Sequence, residues 1–216
     1  MAKSNYLSFF LFALVVWLCF YFYSGSIIDS EVSSGKQCNG SGNRSLYASV
    51  ISGSDHTKRE LLRQIYLKEL GVREFSNRND GERVETYLAY TGNKKGDAWC
   101  AAFVCWVLGK AGVVNPRSAW SPDLFPKNRI VWQYNQNKKM TPGKGDVFAI
   151  WFADKGRIAH CGFVDEWNDK WVVTVEGNTT ESGSREGDGV YRKRRMGNTL
   201  FAVATWVVRK EDMHDL

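Results

Sequence analysis

The chain is poor in histidine. Among 216 residues only His56, His160 and His214 occur. His56 lies in a polar segment and His214 among the final residues, so only His160 sits within a patterned apolar run. Zinc-finger spacings, a P-loop and a dinucleotide fingerprint are all missing, which speaks against a nucleic-acid or nucleotide protein. No internal repeat is visible. The Asx-rich stretch Asn77-Arg78-Asn79-Asp80-Gly81-Glu82 lacks the alternating acidic ligands of a calcium loop, and a turn followed by a helix cap accounts for it. No metal or other cofactor is therefore expected.

What is present is globular: 44% hydrophobic and 14% aromatic residues, with a net charge of +6. A basic balance suits an anionic polymer or surface. Much of the excess lies in Arg192-Lys193-Arg194-Arg195, which reads equally well as a binding patch or as a solvated strand end. Nine tryptophans are many for this length. They imply an aromatic core, with sugar-stacking surfaces as the second reading.

Leu7 to Tyr23 is apolar apart from Ser8, and it precedes Ser24-Gly25-Ser26. A bilayer span takes about 20 such residues. Lys3 before the run and Asp29 and Glu31 after it orient the rest of the chain outward. We therefore read residues 1–28 as a membrane anchor, or as a signal peptide if cleaved at the small-residue pattern. The domain then faces the extracytoplasmic side, in the periplasm or at the outer surface, or is secreted. Residues 29–56, rich in Ser, Gly and Asn, read as a flexible tether. Of the five cysteines, Cys19 falls in the apolar run and Cys38 in the tether.

A single domain is expected over 57–210. Thr57-Lys58-Arg59-Glu60 has the form of a capping box opening a helix that Gly71 ends. Asp80 is placed to cap a second helix through Tyr90. A third, apolar nearly all round, is expected from Ala98 to about Ala111 with Asp97 as its N-cap. A short helix is expected over Lys127 to Gln136. Five strands follow: Val147–Phe152, Ile158–Asp165, Trp171–Glu176, Val190–Arg194 and Phe201–Val208. Helices followed by antiparallel strands define an α+β fold.

The chemistry centres on Cys100, placed at the third position of the third helix. Unpaired N–H groups and partial positive charge at a helix start favour a thiolate. A thiolate cannot protonate a leaving amine, and His160 is the histidine positioned to do so. Gly162 beside it leaves room for the helix to approach. Glu176, across a hairpin from His160, can accept from one imidazole nitrogen while the other faces Cys100. Asn178 either assists or holds the turn after the strand. As a strand-end carboxylate, Glu176 is expected to matter little for folding. Cys105 and Cys161 read as small buried apolar residues, Cys161 on the strand face opposite His160.

Trp99-Cys100-Ala101-Ala102-Phe103-Val104, Gly145-Asp146-Val147, His160-Cys161-Gly162-Phe163-Val164 and Glu176-Gly177-Asn178-Thr179 together resemble the CHAP family of cysteine, histidine-dependent amidohydrolases and peptidases. The resemblance runs over about residues 59–208. It implies a papain-like fold, a Cys100/His160/Glu176 site with Asn178 beside it, and peptidoglycan as the partner. The implied activity is cleavage of an N-acetylmuramoyl-L-alanine or peptide amide bond. Two other classes use the same fold: a non-catalytic wall-binding module, which need not keep a thiol at a helix start, and a thioester-based acyl transferase.

Overall fold

The computed structural model describes residues 42–136, 140–168, 170–181 and 187–207, with side chains from residue 55 onward. Leu7–Tyr23, Cys19, Cys38 and the start of the expected tether lie outside the described residues. No described helix is long and apolar enough to cross a membrane.

Three helices come first: α1 (Gly42–Lys68), α2 (Glu82–Tyr90) and α3 (Cys100–Lys110). Six strands follow: β1 (Ile130–Gln133), β2 (Val147–Phe152), β3 (Arg157–Trp167), β4 (Trp171–Thr179), β5 (Gly189–Met196) and β6 (Ala202–Ala204). All strand pairs are antiparallel, in the order β1-β6-β2-β3-β4-β5. The fold is α+β, three helices packed on one sheet, as the order of signals implied. The sixth strand is β1, where a short helix over Lys127–Gln136 was expected. Only Lys127–Arg129 make a helical turn. The next residues, Ile130, Val131 and Trp132, are of the β-branched and aromatic kind that fit a pleated surface, and they pair with β6.

Helix α3 is the centre of the main core. Every residue from Cys100 to Leu108 is buried, as its all-round apolarity requires. It packs against Val84, Tyr87 and Leu88 of α2 and against Cys161, Phe163 and Val175 of the sheet. The opposite sheet face carries a smaller cluster with Phe148, Val164, Val172 and Val203.

The C-terminal half of α1 is tied to the sheet by charge. Arg59 reaches Asp146 at 2.7 Å and Arg63 reaches Asp165 at 2.8 Å. Asp165, fully buried, also accepts from Tyr66 Oη at 3.0 Å and from Arg192 Nε at 2.8 Å. Thr57 lies inside α1 and does not start it, so the expected capping box is mid-helix. Asp80 does not cap α2 either. Gly81 holds the N-cap position, and Asp80 accepts from the Ser76 N–H and hydroxyl, closing the preceding turn.

Three bulges set the functional end of the sheet. Ala159 is the extra residue where β3 leaves register with β2, Asp165 where β3 leaves β4, and the Gly177-Asn178 pair where β4 leaves β5. Asn178 takes a left-handed backbone, φ 55°, a conformation that asparagine tolerates better than most residues. A bulge re-aims the side chains beside it. Here the three supply the neighbours of His160, the carboxylate that receives α1, and the polar group that meets the start of α3.

Candidate active site

Cys100 is the first residue of α3, with Trp99 as the N-cap position. It is not the third residue, and Asp97 is not the cap. The Asp97 carboxylate accepts from the Lys94 N–H at 3.0 Å and from Asn93 Nδ2 at 3.2 Å, which closes the preceding turn. The acceptor at the helix start is Asn178, whose Oδ1 takes the Trp99 N–H at 3.3 Å. Trp99 is fixed again by its indole N–H, which donates to Glu74 at 2.8 Å. The first intrahelical bond runs from the Phe103 N–H to the Trp99 carbonyl at 2.9 Å. The N–H groups of Cys100, Ala101 and Ala102 precede it and have no helical partner of their own.

The close approach of α3 to the sheet depends on Gly177. A Cβ there would lie 2.6 Å from Trp99 Cζ3 and 2.9 Å from Phe103 Cβ. Gly162 was expected to make that room and does something else. A Cβ at 162 would lie 2.7 Å from the Val175 carbonyl oxygen and 3.1 Å from Glu176 Cγ. Gly162 therefore makes space for the Glu176 side chain behind His160.

The structure brings His160 and Glu176 together, with Nε2 and Oε2 2.9 Å apart. His160 also interacts with Cys100. With Nε2 taken by Glu176, Nδ1 is the nitrogen left to face the sulfur. Burial disfavours charge on His160, but the Cys100 and Glu176 contacts outweigh it and raise its pKa to about 9. Cys100 moves the other way, well below the ordinary thiol range. The neighbouring Cys161 thiol is the largest cause; burial opposes it, and His160 and Ser121 add to it. Both shifts run in the direction of a thiolate–imidazolium pair.

Glu176 is not a solvated strand end. It is 0% exposed and accepts from Arg195 Nε and Nη2 at 2.6 Å each and from Thr174 Oγ1 at 2.5 Å, besides His160. Burial alone would raise its pKa, but Arg195 and His160 hold it well below the usual carboxylate range. Arg195 is the site residue that sequence reasoning missed. It sits in the basic run, and no residue type marks it out from its neighbours. Strand alternation was the available signal: Arg195 stands opposite Val172, whose side shares the face of Glu176. The rest of the run also has partners. Arg192 pairs with Asp165 and Glu166, Lys193 donates to the Thr180 carbonyl at 2.6 Å, and Arg194 stacks on Trp171 at 4.4 Å.

Asn178 is brought to the site, but its hydrogen bonds go to the start of α3 and the neighbouring loops and not to the imidazole. Its amide donates to Asn79 Oδ1 at 2.9 Å, Gly187 O at 3.3 Å and Glu74 Oε1 at 3.4 Å. It holds the Cys100 turn in place. Cys105 lies apart from the site, donating to the Ser118 carbonyl, with burial pushing its pKa up to about 11. Cys100, Cys105 and Cys161 are all free thiols.

Cys100 and His160 open on a cleft of about 290 Å³. Ile150, Phe152, Lys155 and Arg195 contribute to its walls, with Asn178 at the helix end. Trp151, on the strand face opposite the lining residues Ile150 and Phe152, is exposed and packs on Phe201. Trp120 is also exposed and carries the Arg157 guanidinium 3.8 Å above its ring. Four other tryptophans, Trp99, Trp106, Trp132 and Trp206, are core residues.

Compared with known proteins, the chain matches no family model, no curated protein and no solved structure.

Proposed function

We propose that this protein is a papain-like cysteine amidohydrolase or endopeptidase that cuts amide bonds of bacterial peptidoglycan. The observation that carries the reading is the buried relay from the Cys100 sulfur through His160 to Glu176, with its reactive end on a cleft. A core cysteine needs no buried imidazole, and a structural histidine needs no charged, arginine-clamped carboxylate behind it.

The thiolate of Cys100 attacks the amide carbonyl carbon and a C–S bond forms. Negative charge develops on the carbonyl oxygen, within reach of the unpaired N–H groups at the start of α3. As the C–N bond breaks, the His160 imidazolium gives its proton to the departing amine. Neutral His160 then takes a proton from water, whose oxygen attacks the thioester. The acid is released, and the proton held by His160 restores the ion pair with the returning thiolate. Glu176 stays ionised throughout. It fixes the imidazole orientation and stabilises its charged form, as the carboxylate of a catalytic triad does.

Peptidoglycan as the substrate comes from the motif resemblance. The aromatic Phe152 and the cationic Lys155 of the cleft suit a polymer of sugars and acidic peptides. The test is digestion of purified walls by the full chain, with mass spectrometry of the soluble products. The expected result is new free amino groups and fragments that identify one amide bond, absent with Cys100→Ala. Intact walls would sink the substrate assignment. A product diverted by an added acceptor amine would favour acyl transfer over hydrolysis.

A further inference from the structure

Two buried neighbours of the Cys100 sulfur have no part in the scheme above. The Ser121 hydroxyl lies 3.5 Å from Cys100 Sγ. It opens the short helical turn Ser121–Leu124 and is 4% exposed. Cys161 follows His160 on β3, so strand alternation sends its thiol toward α3, among the residues of the main core. There it lies in the same buried cluster as Cys100 and interacts with it and with Ser121. Cys161 is 0% exposed and free. Burial and the adjacent Cys100 push its own pKa far up, so it remains a protonated donor.

The sulfur of Cys100 thus interacts with three groups able to donate to it: the Ser121 hydroxyl at 3.5 Å, the imidazole and the Cys161 thiol. An apolar side chain at 161 or 121 would fill the same space and leave the anion against hydrocarbon, which disfavours charge. We propose that Cys161 and Ser121 are positioning residues that hold Cys100 as a thiolate by donating hydrogen bonds to its sulfur. The inference rests on the reading of Cys100 as the nucleophile and is independent of the substrate. It assigns no bond making or breaking to either residue.

The test titrates Cys100 itself in the full chain. The rate of iodoacetamide alkylation is followed against pH, with mass spectrometry reporting label at Cys100. Thiolate absorbance near the ultraviolet thiolate band gives a second reading. Cys161→Ala and Ser121→Ala should each raise the midpoint by about one pH unit, the lower end expected for a hydrogen bond to a charged group. Cys161→Ser keeps a donor and should restore most of the wild-type midpoint, which a merely space-filling role would not require. Ser121→Ala alone carries the test if Cys161→Ala does not fold. Midpoints unmoved in folded variants would overturn the assignment of Cys161 and Ser121 while leaving Cys100 as the nucleophile. A wild-type midpoint in the ordinary thiol range would overturn both.

Discussion

Replacing Glu176 with glutamine keeps the shape of the side chain and reverses the polarity of one of its ends. In the native site its two oxygens receive four donors: His160 Nε2, Arg195 Nε and Nη2, and Thr174 Oγ1. A glutamine has one acceptor oxygen. Its NH2 must face either Nε of Arg195 or the shared position of Nη2 and Nε2, where only the Thr174 hydroxyl or a His160 that has given up its Nε2 proton can accept, and the Arg195 donors cannot. Arg195, 19% exposed, also loses its counter-charge. Removing one partner of a buried ion pair costs about 3–5 kcal/mol. For a domain of this size that is a fall in melting temperature of roughly 6–20 °C. Activity on walls, measured well below the lowered melting point, should drop by roughly 10²–10⁴-fold, as when a triad loses its orienting acid. Adding Arg195→Met should recover much of the stability and none of the activity. The native pair also makes stability depend on pH. Because Glu176 is held below its ordinary value of 4.5, its contribution is present above that pH and is lost on acidification. A Glu176→Gln protein that melts with the wild type and digests walls at nearly the wild-type rate would rule out both the buried ion pair and the orienting role of Glu176.

The ion pair fixes the shape of the pH profile. Hydrolysis should decline as pH rises through about 9, where His160 loses the proton needed by the amine, while alkylation of Cys100 does not decline. Gly177→Ala should push α3 away from the sheet, lowering stability by about 1–3 kcal/mol in thermal melts and activity with it. Asn178→Ala should reduce activity by releasing the Trp99 N–H, yet leave the His160 titration, followed by NMR, in place; a displaced titration would make Asn178 the orienting residue. Deleting residues 1–56 should leave a folded, active domain. A deletion that also removes Arg59 and Arg63 should not fold, because both hold α1 to buried carboxylates of the sheet.

The reach of the sequence follows from the physics of each element. The helices, the strands from β2 to β6 and the His160–Glu176 pairing all rest on hydrophobic periodicity and strand alternation, which are local. Cys100, His160 and Glu176 meet as their motifs implied. What was not legible depends on partners distant in the chain. Asp97 and Asp80 look like helix caps, yet each is captured by a turn closer in sequence, and a side chain 79 residues away serves the start of α3 instead. Glu176 looked exposed because a strand end usually is. Its burial depends on the space left by Gly162 and on Arg195, one of four similar basic residues. The bulges at Ala159, Asp165 and Asn178 have no signature in a single sequence, although they decide which side chains face the site. Cys161, taken as a small apolar filler, is the clearest case. Its burial was expected, but its interaction with Cys100 appears only once strand and helix are packed.

Under the proposed mechanism Cys100 forms a covalent acyl intermediate with the carbonyl side of a wall amide. Rapid acid quenching of the full chain with solubilised peptidoglycan fragments, followed by intact and peptide mass spectrometry, tests it directly. The expected adduct sits on the Cys100 peptide, has the mass of the acyl fragment without its amine, and disappears on treatment with hydroxylamine. It should be absent with Cys100→Ser or His160→Ala. Product formation without any adduct, and undiminished in Cys100→Ala, would contradict that mechanism.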